Sequence, residues 1–309
     1  MKKAKVLVMV GPNASGKSDL AVRLAKKFNG EIISADSRQV YKGLDIGSGK
    51  ITKKEMAGVR HHLLDVAGPK TRFSADDFKR LGQEALRLII VKRKLPIIVG
   101  GTGFYIDVLT GKVLLPDVPP NKLLRGKLNK LSKEKLFEML KKRDPARAKT
   151  IDKHNKVRLV RALEIVKALG KVPTLGHPMS KWSPYSFVYI GLSPHNSEKR
   201  IHARLLKRLP RIIRECRKLH KQGLSYKRMH ELGLEYRFTS MYLKGEIVKK
   251  ELMEKLNIAI RQYAKRQMTW FKRNKKIKWF NPNETSKIIK YLRNAHYFYD
   301  TMYDNAKDI

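Results

Sequence analysis

Eight residues near the start of the chain have the types and spacing of a phosphate-binding loop. They follow an apolar run, Val6 to Val10, and match the pattern GxxxxGK[ST]: Gly11, Pro12, Asn13, Ala14, Ser15, Gly16, Lys17 and Ser18. In such a loop the main-chain N–H groups face a phosphate, the lysine adds a positive charge, and the hydroxyl is placed to ligate Mg²⁺. The pattern predicts a bound di- or triphosphate group with Ser18 as a magnesium ligand, but it does not require transfer of a phosphoryl group.

A carboxylate, Asp36, and a hydroxyl, Thr102, follow two other short apolar runs, "EIISAD" and "LPIIVGGT". If these runs are parallel strands of one sheet, their carboxyl ends meet at the crevice where the phosphate-binding loop lies. A bound diphosphate would repel a nearby carboxylate. The position of Asp36 therefore indicates that it acts on a second substrate, either by accepting a proton or by orienting a hydrogen-bond donor. Spacing alone leaves another interpretation open, in which Asp36 caps the start of a helix.

A kinase or a nucleoside triphosphatase normally has a further metal-binding carboxylate at the end of a buried strand. The obvious candidate, the run from Leu95 to Val99, ends instead in "GGTG". Asp65 follows only two apolar residues and is a weaker candidate for a metal carboxylate. Ordinary triphosphate hydrolysis is therefore disfavoured, although small-molecule kinases vary at this point.

The chain is strongly basic, with 69 Lys and Arg against 27 Asp and Glu and a formal charge of +42 over 309 residues. This charge indicates a polyanionic partner such as nucleic acid, unless it reflects only a generally basic proteome. The single cysteine, Cys216, excludes an internal disulfide and a cysteine-based zinc site, so we expect a cytoplasmic protein. The apolar run near the start is too short for a membrane span, and we expect no membrane contact.

The apolar runs alternate with helical stretches, which predicts an α/β fold with a phosphate-binding loop and a parallel sheet flanked by helices. Residues 121–170 have a helical pattern and contain sixteen Lys or Arg against five Asp or Glu, between two proline-containing segments. We therefore predict three parts: a first part of the core at 1–116, a basic helical insertion at 117–186, and a completion of the core with C-terminal helices at 187–309. The aromatic stretch 291–304 is expected to pack as a terminal helix.

Seven motifs occur in the order seen in tRNA dimethylallyltransferases: "GPNASGKS", "ISADSRQVYKGLDIGSGK", "GVRHHLLDV", "FSADDF", "IIVGGTGFYI", "VRLVRALEI" and "YAKRQMTWFKRN". The chain resembles bacterial members of that family from Gly11 to Asn274. The phosphate-binding loop is shared with many enzymes, but "DSRQVYKGLDIG" and "AKRQMTWF" together are specific. Small departures at Asn13, Ser18 and Lys50 put only details of the loops in doubt.

The resemblance implies transfer of a dimethylallyl group from dimethylallyl diphosphate to the exocyclic amine of the adenosine that follows the anticodon in tRNA. It implies that the loop binds the diphosphate, with Lys17 and Mg²⁺ stabilising the departing charge, and that Asp36 is the base on the amine. Thr102 matches a family residue near the diphosphate and the adenine. Matches to tRNA-contacting positions include Asp36 and Thr102 and also Ser37, Arg38 and Gln39.

The same resemblance implies that the basic insertion is a tRNA-binding module, which clamps the anticodon stem-loop together with the core. In the insertion the matching positions are Arg158 and Arg161, on the side of a helix opposite Leu159, Leu163 and Val166. Towards the C-terminus they are Arg237, Lys265, Arg266 and Gln267. The expected partners are tRNA and dimethylallyl diphosphate, and we expect a monomer.

Three alternatives have different consequences. A small-molecule or nucleotide kinase would need a triphosphate and a further metal carboxylate. An adenylate dimethylallyltransferase would share the core but would not need a basic insertion of fifty residues. A non-catalytic RNA-binding protein would not need Lys17, Asp36 and Thr102 together.

Overall fold

Mostly apolar segments form the longer strands, and amphipathic segments between them form helices, over the residues 3–173, 184–194 and 197–294 that a computed structural model describes. The strands are β1 (Ala4–Val10), β2 (Gly30–Ser34), β3 (His61–His62), β4 (Leu95–Gly100), β5 (Tyr185–Leu192) and β6 (Lys278–Phe280). They form one sheet in the order β3-β2-β4-β1-β5-β6, and every strand pair is parallel. The predicted α/β class is confirmed.

Helices cover both faces of this sheet, because successive side chains of a strand point to opposite faces. Leu7 and Met9 of β1 belong to a buried cluster with α1 (Lys17–Lys27) and α13 (Thr285–Asn294). Val6, Val8 and Val10 belong to a second cluster, with α3 (Ala75–Val91) and α4 (Gly103–Leu109). Burial on both faces explains why β1 has a continuous apolar sequence rather than an alternating one.

A third buried cluster joins the segment after Asp36 to the C-terminal helices. Val40, Tyr41 and Leu44 pack in this cluster with the four helices α9 (Ser197–Lys221), α10 (Tyr226–Leu232), α11 (Leu234–Leu243) and α12 (Lys249–Lys272). The short helix α2 (Lys53–Met56) follows that segment. These contacts place α9, α11 and α12 beside the carboxyl ends of the central strands.

The sequence of α12 predicts one packed face formed by Leu252, Leu256, Ala259, Tyr263 and Trp270, and the buried face differs slightly from this prediction. Leu252 and Leu256 are buried as expected, but Tyr263 and Trp270 are only partly buried. The buried positions advance by four or three residues at a time: Leu252, Leu256, Ile260, Ala264, Gln267 and Phe271. The predicted face contained the larger aromatic residues, whereas the helical period places their smaller neighbours in the core.

The described chain divides into two compact units, residues 1–110 with 181–309 and residues 111–180. The second unit contains α5 (Lys122–Asn129), α6 (Lys133–Arg143), α7 (Pro145–Thr150) and α8 (Lys156–Leu169), which surround their own apolar cluster. We had predicted the insertion at 117–186, whereas β5 already begins at Tyr185. Most of the proline-containing segment 170–186 and of the aromatic stretch 291–304 lies outside the described residues. Among the described residues, no helix has the length and apolar character that crossing a membrane requires.

Candidate active site

The phosphate-binding loop connects β1 to α1 through backbone conformations that favour glycine. Gly11 has φ 155°, and a Cβ atom there would lie 2.7 Å from the carbonyl oxygen of Leu192. Gly16 is in the left-handed region, with φ 84°, directly before the first residue of α1. The Lys17 ammonium donates to the Pro12 carbonyl at 2.6 Å and lies 3.3 Å from the Ser15 hydroxyl. The lysine side chain is therefore folded back over the loop.

The electrostatics of Lys17 depend on the charged groups around the loop. Burial lowers the pKa of Lys17 to about 8, the carboxylate of Asp36 opposes this shift, and Arg204 adds to it. Burial disfavours the charged form of an amine, and a nearby cation has the same effect. An anion bound at the loop would favour the charged form of this lysine.

Asp36 begins a tight turn that follows β2. Its Oδ1 accepts hydrogen bonds from the main-chain N–H of Arg38, at 2.8 Å, and of Gln39, at 3.3 Å. No helix follows, because residues 37–40 form a turn. The capping interpretation is thus replaced by a related one, in which one carboxylate oxygen stabilises the turn. No donor to the other oxygen, Oδ2, is found in the part of the chain that the structure describes.

Thr102 lies against the same turn, at the end of β4. Its hydroxyl accepts a hydrogen bond from the N–H of Ser37 at 3.1 Å, and its own N–H donates to the carbonyl of Ala35 at 3.2 Å. It also shares a hydrogen bond with the hydroxyl of Tyr263, a residue whose pKa burial and Asp36 raise to about 12. The strand ends therefore bring Asp36 and Thr102 together, as the parallel sheet predicted.

A cavity of about 220 Å³ connects the phosphate-binding loop to the turn at Asp36. Lys17, Ser18 and Arg204 line one part of it, and Asp36 and Glu235 also contribute to its wall. Asp36 influences the pKa of both Lys17 and Glu235, so it lies within electrostatic range of both. The cavity thus combines cationic groups suited to an anion with carboxyl groups suited to a hydrogen-bond donor.

Sequence reasoning did not assign a function to four of the residues that line this cavity: Arg204, Arg208, Glu235 and Tyr263. Arg204 and Arg208 lie one turn apart on α9, in a strongly basic segment for which the sequence predicts only a C-terminal helix. Their spacing of four residues is a signal, but many other basic pairs on this helix have a similar spacing. Only the tertiary structure shows which of them face the cavity.

Three residues of the turn that were matched to tRNA contacts line the cavity, but their side chains already have protein partners, and the hydroxyl of Ser37 accepts a hydrogen bond from Nη1 of Arg38 at 3.4 Å. Arg38 donates through Nε to the carbonyl of Leu232 and through Nη1 to that of Ser37, the latter at 3.1 Å. Gln39 accepts from the hydroxyl of Ser34 at 3.1 Å and donates to the carbonyl of Gly49 at 3.4 Å. Contacts of Ser37, Arg38 and Gln39 with tRNA stay predictions.

Gln267 connects α12 to the phosphate-binding loop. It is buried, with 5% of its surface exposed, and its amide oxygen accepts from the N–H of Asn13 at 2.9 Å. Its amide nitrogen donates to the carbonyl of Gly101 at 2.9 Å. A Cβ atom on Gly101 would lie 2.2 Å from this nitrogen, which explains why a small residue follows β4 where an acidic one might be sought. Contact of Gln267 with tRNA stays a prediction, but here its side chain holds the loop.

The other three C-terminal positions matched to tRNA contacts are exposed: Arg237, Lys265 and Arg266. Arg237 donates to the carbonyl of His230 at 3.2 Å, and the guanidinium of Arg266 lies 5.9 Å from the ring centre of Tyr263. These three cations are accessible to a polyanion, whereas the side chain of Gln267 is buried.

Asp65, the weaker candidate for a metal carboxylate, does not line the cavity. It forms an ion pair with Lys50 at 2.6 Å, and Lys50 also contacts Asp45 at 2.7 Å. Only 5% of the Lys50 side chain is exposed. Lys50 therefore stabilises the loop after Asp36, and a role of Asp65 in binding the metal at the phosphate-binding loop is not supported.

In the second unit, the two arginines of α8 differ. Arg158 is exposed, whereas Arg161 forms an ion pair with Glu164 and donates to the carbonyl of Val118 at 2.9 Å. Glu164 is 2% exposed and also accepts two hydrogen bonds from Arg125, at 2.7 and 2.8 Å. Burial alone would raise the pKa of Glu164, but hydrogen bonds from Arg125, the Asn121 N–H and Arg161 outweigh it and lower that pKa to about 2. Leu159, Leu163 and Val166 are buried, as predicted.

Comparisons with known proteins agree with these features. A protein-family model described as IPP transferase matches residues 39–274. The chain is 36% identical to a tRNA dimethylallyltransferase of Anoxybacillus flavithermus, over 96% of this chain and 99% of that protein. It is 41% identical to tRNA dimethylallyltransferase 1 of Geotalea uraniireducens, over 87% and 88% of the two chains.

A solved structure supports the same assignment. The full-length tRNA isopentenylpyrophosphate transferase from Bacillus halodurans superimposes with a TM-score of 0.72 and 34% identity, covering 97% of this chain and 98% of the other. These relatives cover between 87% and 97% of this chain. This chain belongs to the IPP transferase family.

Proposed function

We propose that this protein transfers a dimethylallyl group from dimethylallyl diphosphate to the exocyclic amine of the adenosine 3′ to the anticodon in tRNA. Diphosphate is released. The observation that carries the proposal is that one cavity joins the phosphate-binding loop to the carboxylate of Asp36. The tRNA dimethylallyltransferases to which the chain is similar supply the choice of substrates.

The reaction requires one bond to form and one to break. The amine nitrogen attacks the allylic carbon, and the bond from that carbon to the diphosphate oxygen breaks, so that the electron pair leaves with diphosphate. The amine loses one proton, which Asp36 accepts. Because the lone pair of this amine is delocalised into the ring, removal of the proton during attack lowers the barrier.

Asp36 is suited to this task by the division between its two oxygens. Oδ1 accepts two main-chain hydrogen bonds and fixes the orientation of the carboxylate. Oδ2 is then available to the substrate. Thr102 acts on the same turn through the N–H of Ser37, and we assign it a positioning role in addition to its place near the substrates.

Diphosphate binds at the other part of the cavity. The N–H groups of the loop, the start of α1 and Lys17 stabilise negative charge there, and this stabilisation matters most as the leaving group develops its charge. Arg204 lines the same part and adds a second cation.

Magnesium would be held by the hydroxyl of Ser18 together with phosphate oxygens of the donor. Ser18 lines the cavity beside Lys17, and the described residues contain no cluster of three His, Cys, Asp or Glu side chains that could hold a metal ion. One protein ligand suits Mg²⁺, which retains several waters and often binds through substrate phosphates. Bound there, it would neutralise charge on the leaving diphosphate.

The RNA binds to basic surfaces outside the cavity. We assign this role to the exposed Arg158 of the second unit and, in the first unit, to Arg237, Lys265 and Arg266. The target base leaves the stack of the anticodon loop to enter the cavity, at a cost of a few kcal/mol that is lower in a loop than in a duplex. We propose that the protein acts as a monomer.

The test is incubation of the protein with Mg²⁺, labelled dimethylallyl diphosphate and an anticodon stem-loop RNA, followed by mass analysis of the nucleosides. We expect a dimethylallyl group on the one adenosine 3′ to the anticodon. AMP and ATP serve as alternative substrates in parallel reactions. Modification of AMP in preference to RNA would support an adenylate dimethylallyltransferase, and ATP-dependent phosphorylation without transfer would support a kinase.

A further inference from the structure

Glu235 is a second carboxyl group in the wall of the cavity, and nothing in the proposed reaction uses it. It lies in the first turn of α11 and lines the same cavity as Asp36. Its carboxyl group accepts a hydrogen bond from its own main-chain N–H. No other residue in the described ranges donates a hydrogen bond to it, so a ligand in the cavity can meet its remaining hydrogen-bonding capacity.

The backbone that carries Glu235 is strained. Gly233 has φ 77° and ψ −178°, a conformation that is essentially restricted to glycine, and the next residue, Leu234, has φ 38°. Left-handed backbone at a bulky residue is a genuine outlier. Such strain persists where the surrounding structure imposes it, and it is often found at functional sites.

This strained turn lies directly against the turn of Asp36. Arg38 donates from Nε to the carbonyl of Leu232, and a Cβ atom on Gly233 would lie 3.8 Å from Nη2 of Arg38. The two carboxyl groups are therefore held by two turns that are joined by one arginine. This arrangement fixes Glu235 relative to the base.

The simplest structural role for Glu235 would be as a counter-ion of Arg208, which also lines the cavity. However, Arg208 donates instead to the carbonyls of Ile46 and Gly47, the latter at 3.0 Å. Burial raises the pKa of Glu235 despite the opposing effect of Arg208, and Asp36 adds to the rise. When it carries a proton, a carboxyl group has both an O–H donor and a carbonyl acceptor.

We propose that Glu235 recognises the edge of the acceptor adenine, accepting one hydrogen of the exocyclic amine and donating to the adjacent ring nitrogen. This inference rests on the proposed function. In that reaction Asp36 accepts one proton of the exocyclic amine, and Glu235 accepts a hydrogen bond from the other N–H of the same amine. A carboxylic acid offers the same donor–acceptor pair as the amide with which Asn or Gln recognises adenine. Guanine has a carbonyl oxygen in place of the amine, so Glu235 sets the preference for adenine.

The test is a cycle of RNA and protein changes, read by the affinity of the stem-loop. Three stem-loops are compared, with adenosine, 1-deazaadenosine or 7-deazaadenosine at the target position. The first has both ring nitrogens that flank the amine, the second lacks N1 and the third lacks N7. Their affinities are measured by fluorescence anisotropy at fixed salt for the wild type, Glu235→Gln, Glu235→Leu and the surface control Glu254→Leu. Glu254 is exposed on α12 and does not line the cavity.

We expect one of the two deaza RNAs to bind the wild type about 5- to 10-fold more weakly, the usual effect of a lost buried hydrogen bond. Glu235→Leu should bind the adenosine RNA weakly and show no further loss with that deaza RNA. Glu235→Gln, which retains a donor and an acceptor, should keep both the affinity and the response, as should Glu254→Leu.

The assignment is overturned if the wild type does not distinguish any of the three RNAs, or if Glu235→Leu responds to the deaza RNA as the wild type does. If Glu235→Leu does not fold, loss of the response in Glu235→Gln overturns it equally. Affinity does not depend on turnover, and transfer to the adenosine RNA is measured separately. A failure of the proposed reaction would therefore appear in the second measurement, and a failure of the Glu235 assignment in the first.

Discussion

Asp36 lies within electrostatic range of Lys17, which we propose binds diphosphate, and of Glu235, the second carboxyl group of the cavity. At the scale of single residues, this position is what allows one side chain to serve both substrates. Oδ1 of Asp36 accepts the hydrogen bonds that stabilise the turn. A substitution of Asp36 can therefore remove the base, the hydrogen bonds of the turn, or both.

Replacement of Asp36 by Asn tests the base. The amide oxygen can still accept the two main-chain hydrogen bonds, but the side chain can no longer accept a proton. We expect the single-turnover rate of transfer to fall by about 10²- to 10⁴-fold while donor affinity stays near that of the wild type. Asp36→Ala, which also removes the turn hydrogen bonds, is the companion variant, and a near wild-type rate in Asp36→Asn would rule out the base assignment.

Donor binding should depend on pH through Lys17. The pKa of Lys17 is lowered to about 8 in the protein without donor, so the ammonium is largely present below pH 8 and is lost above it. Because diphosphate binds the charged form, affinity should be constant below pH 8 and fall by about tenfold per pH unit above it. Titration of dimethylallyl diphosphate by calorimetry from pH 6.5 to 9.5 measures this. Lys17→Met should bind weakly and without the alkaline decrease, and the same decrease in that variant would assign the titration to another group.

At the scale of secondary-structure elements, the phosphate-binding loop is supported by α12 rather than by its own strand and helix alone. Gln267 joins that helix to the loop at Asn13 and to the end of β4 at Gly101. The motif "AKRQMTWF" therefore has a structural component at Gln267 beside its exposed basic residues.

Gln267→Leu should weaken donor binding. The substitution leaves the buried N–H of Asn13 and carbonyl of Gly101 without these partners, which costs about 1–3 kcal/mol per unsatisfied group. We expect a lower melting temperature and weaker binding of dimethylallyl diphosphate, with stem-loop affinity nearly unchanged. A selective loss of RNA affinity would instead show that Gln267 contacts the RNA. Gln262→Leu, an exposed position on the same helix, is the matched control.

Helix α8 offers a second comparison, between two arginines three residues apart. Arg158 is exposed, so Arg158→Ala should weaken stem-loop binding and leave the melting temperature unchanged. Arg161 pairs with the buried Glu164, and removing one partner of a buried charge is destabilising, by about 3–5 kcal/mol when no other partner remains. Arg125 remains here, so we expect Arg161→Ala to lower stability by less than that. Thermal unfolding and RNA affinity measured on both variants check this, and equal stability of the two would contradict the role given to the Glu164 network.

At the scale of the whole molecule, the formal charge of +42 favours association with a polyanion over long distances. This charge is distributed over both units, whereas the cavity proposed to bind the donor lies in the first. Binding of the two substrates should therefore depend differently on salt.

Stem-loop affinity should decrease steeply with salt, because each phosphate contact releases condensed counterions. For single-stranded segments the slope of log affinity against log salt is about −0.7 per contact. Arg158→Ala should flatten the slope by about one such contact. A salt series for the wild type and Arg158→Ala measures this, and an unchanged slope and affinity would mean that Arg158 is only a solvated charge.

The parallel sheet, the phosphate-binding loop, and the placement of Asp36 and Thr102 at strand ends could all be predicted from the amino-acid sequence. These features depend on short segments, because an apolar run buried on both faces and a glycine-rich turn into a helix are each encoded by fewer than ten consecutive residues. The family was also recognisable from such segments. Because β2 and β4 are parallel neighbours in the sheet, Asp36 and Thr102 follow adjacent strand ends and lie at the same turn.

The sequence does not reveal which polar side chains face the cavity, which face solvent and which hold the fold together, because these depend on tertiary packing. Gln267 and Asn13 are 254 residues apart in sequence. The contacts of Lys50 with Asp65, of Arg161 with Val118 and of Arg208 with the loop at Gly47 likewise join separate segments. Glu235 and Arg204 were not distinguished from other charged residues on their helices. The physical reason is that helical periodicity specifies a face, whereas the partner of a charged or polar side chain on that face depends on which distant element packs against it.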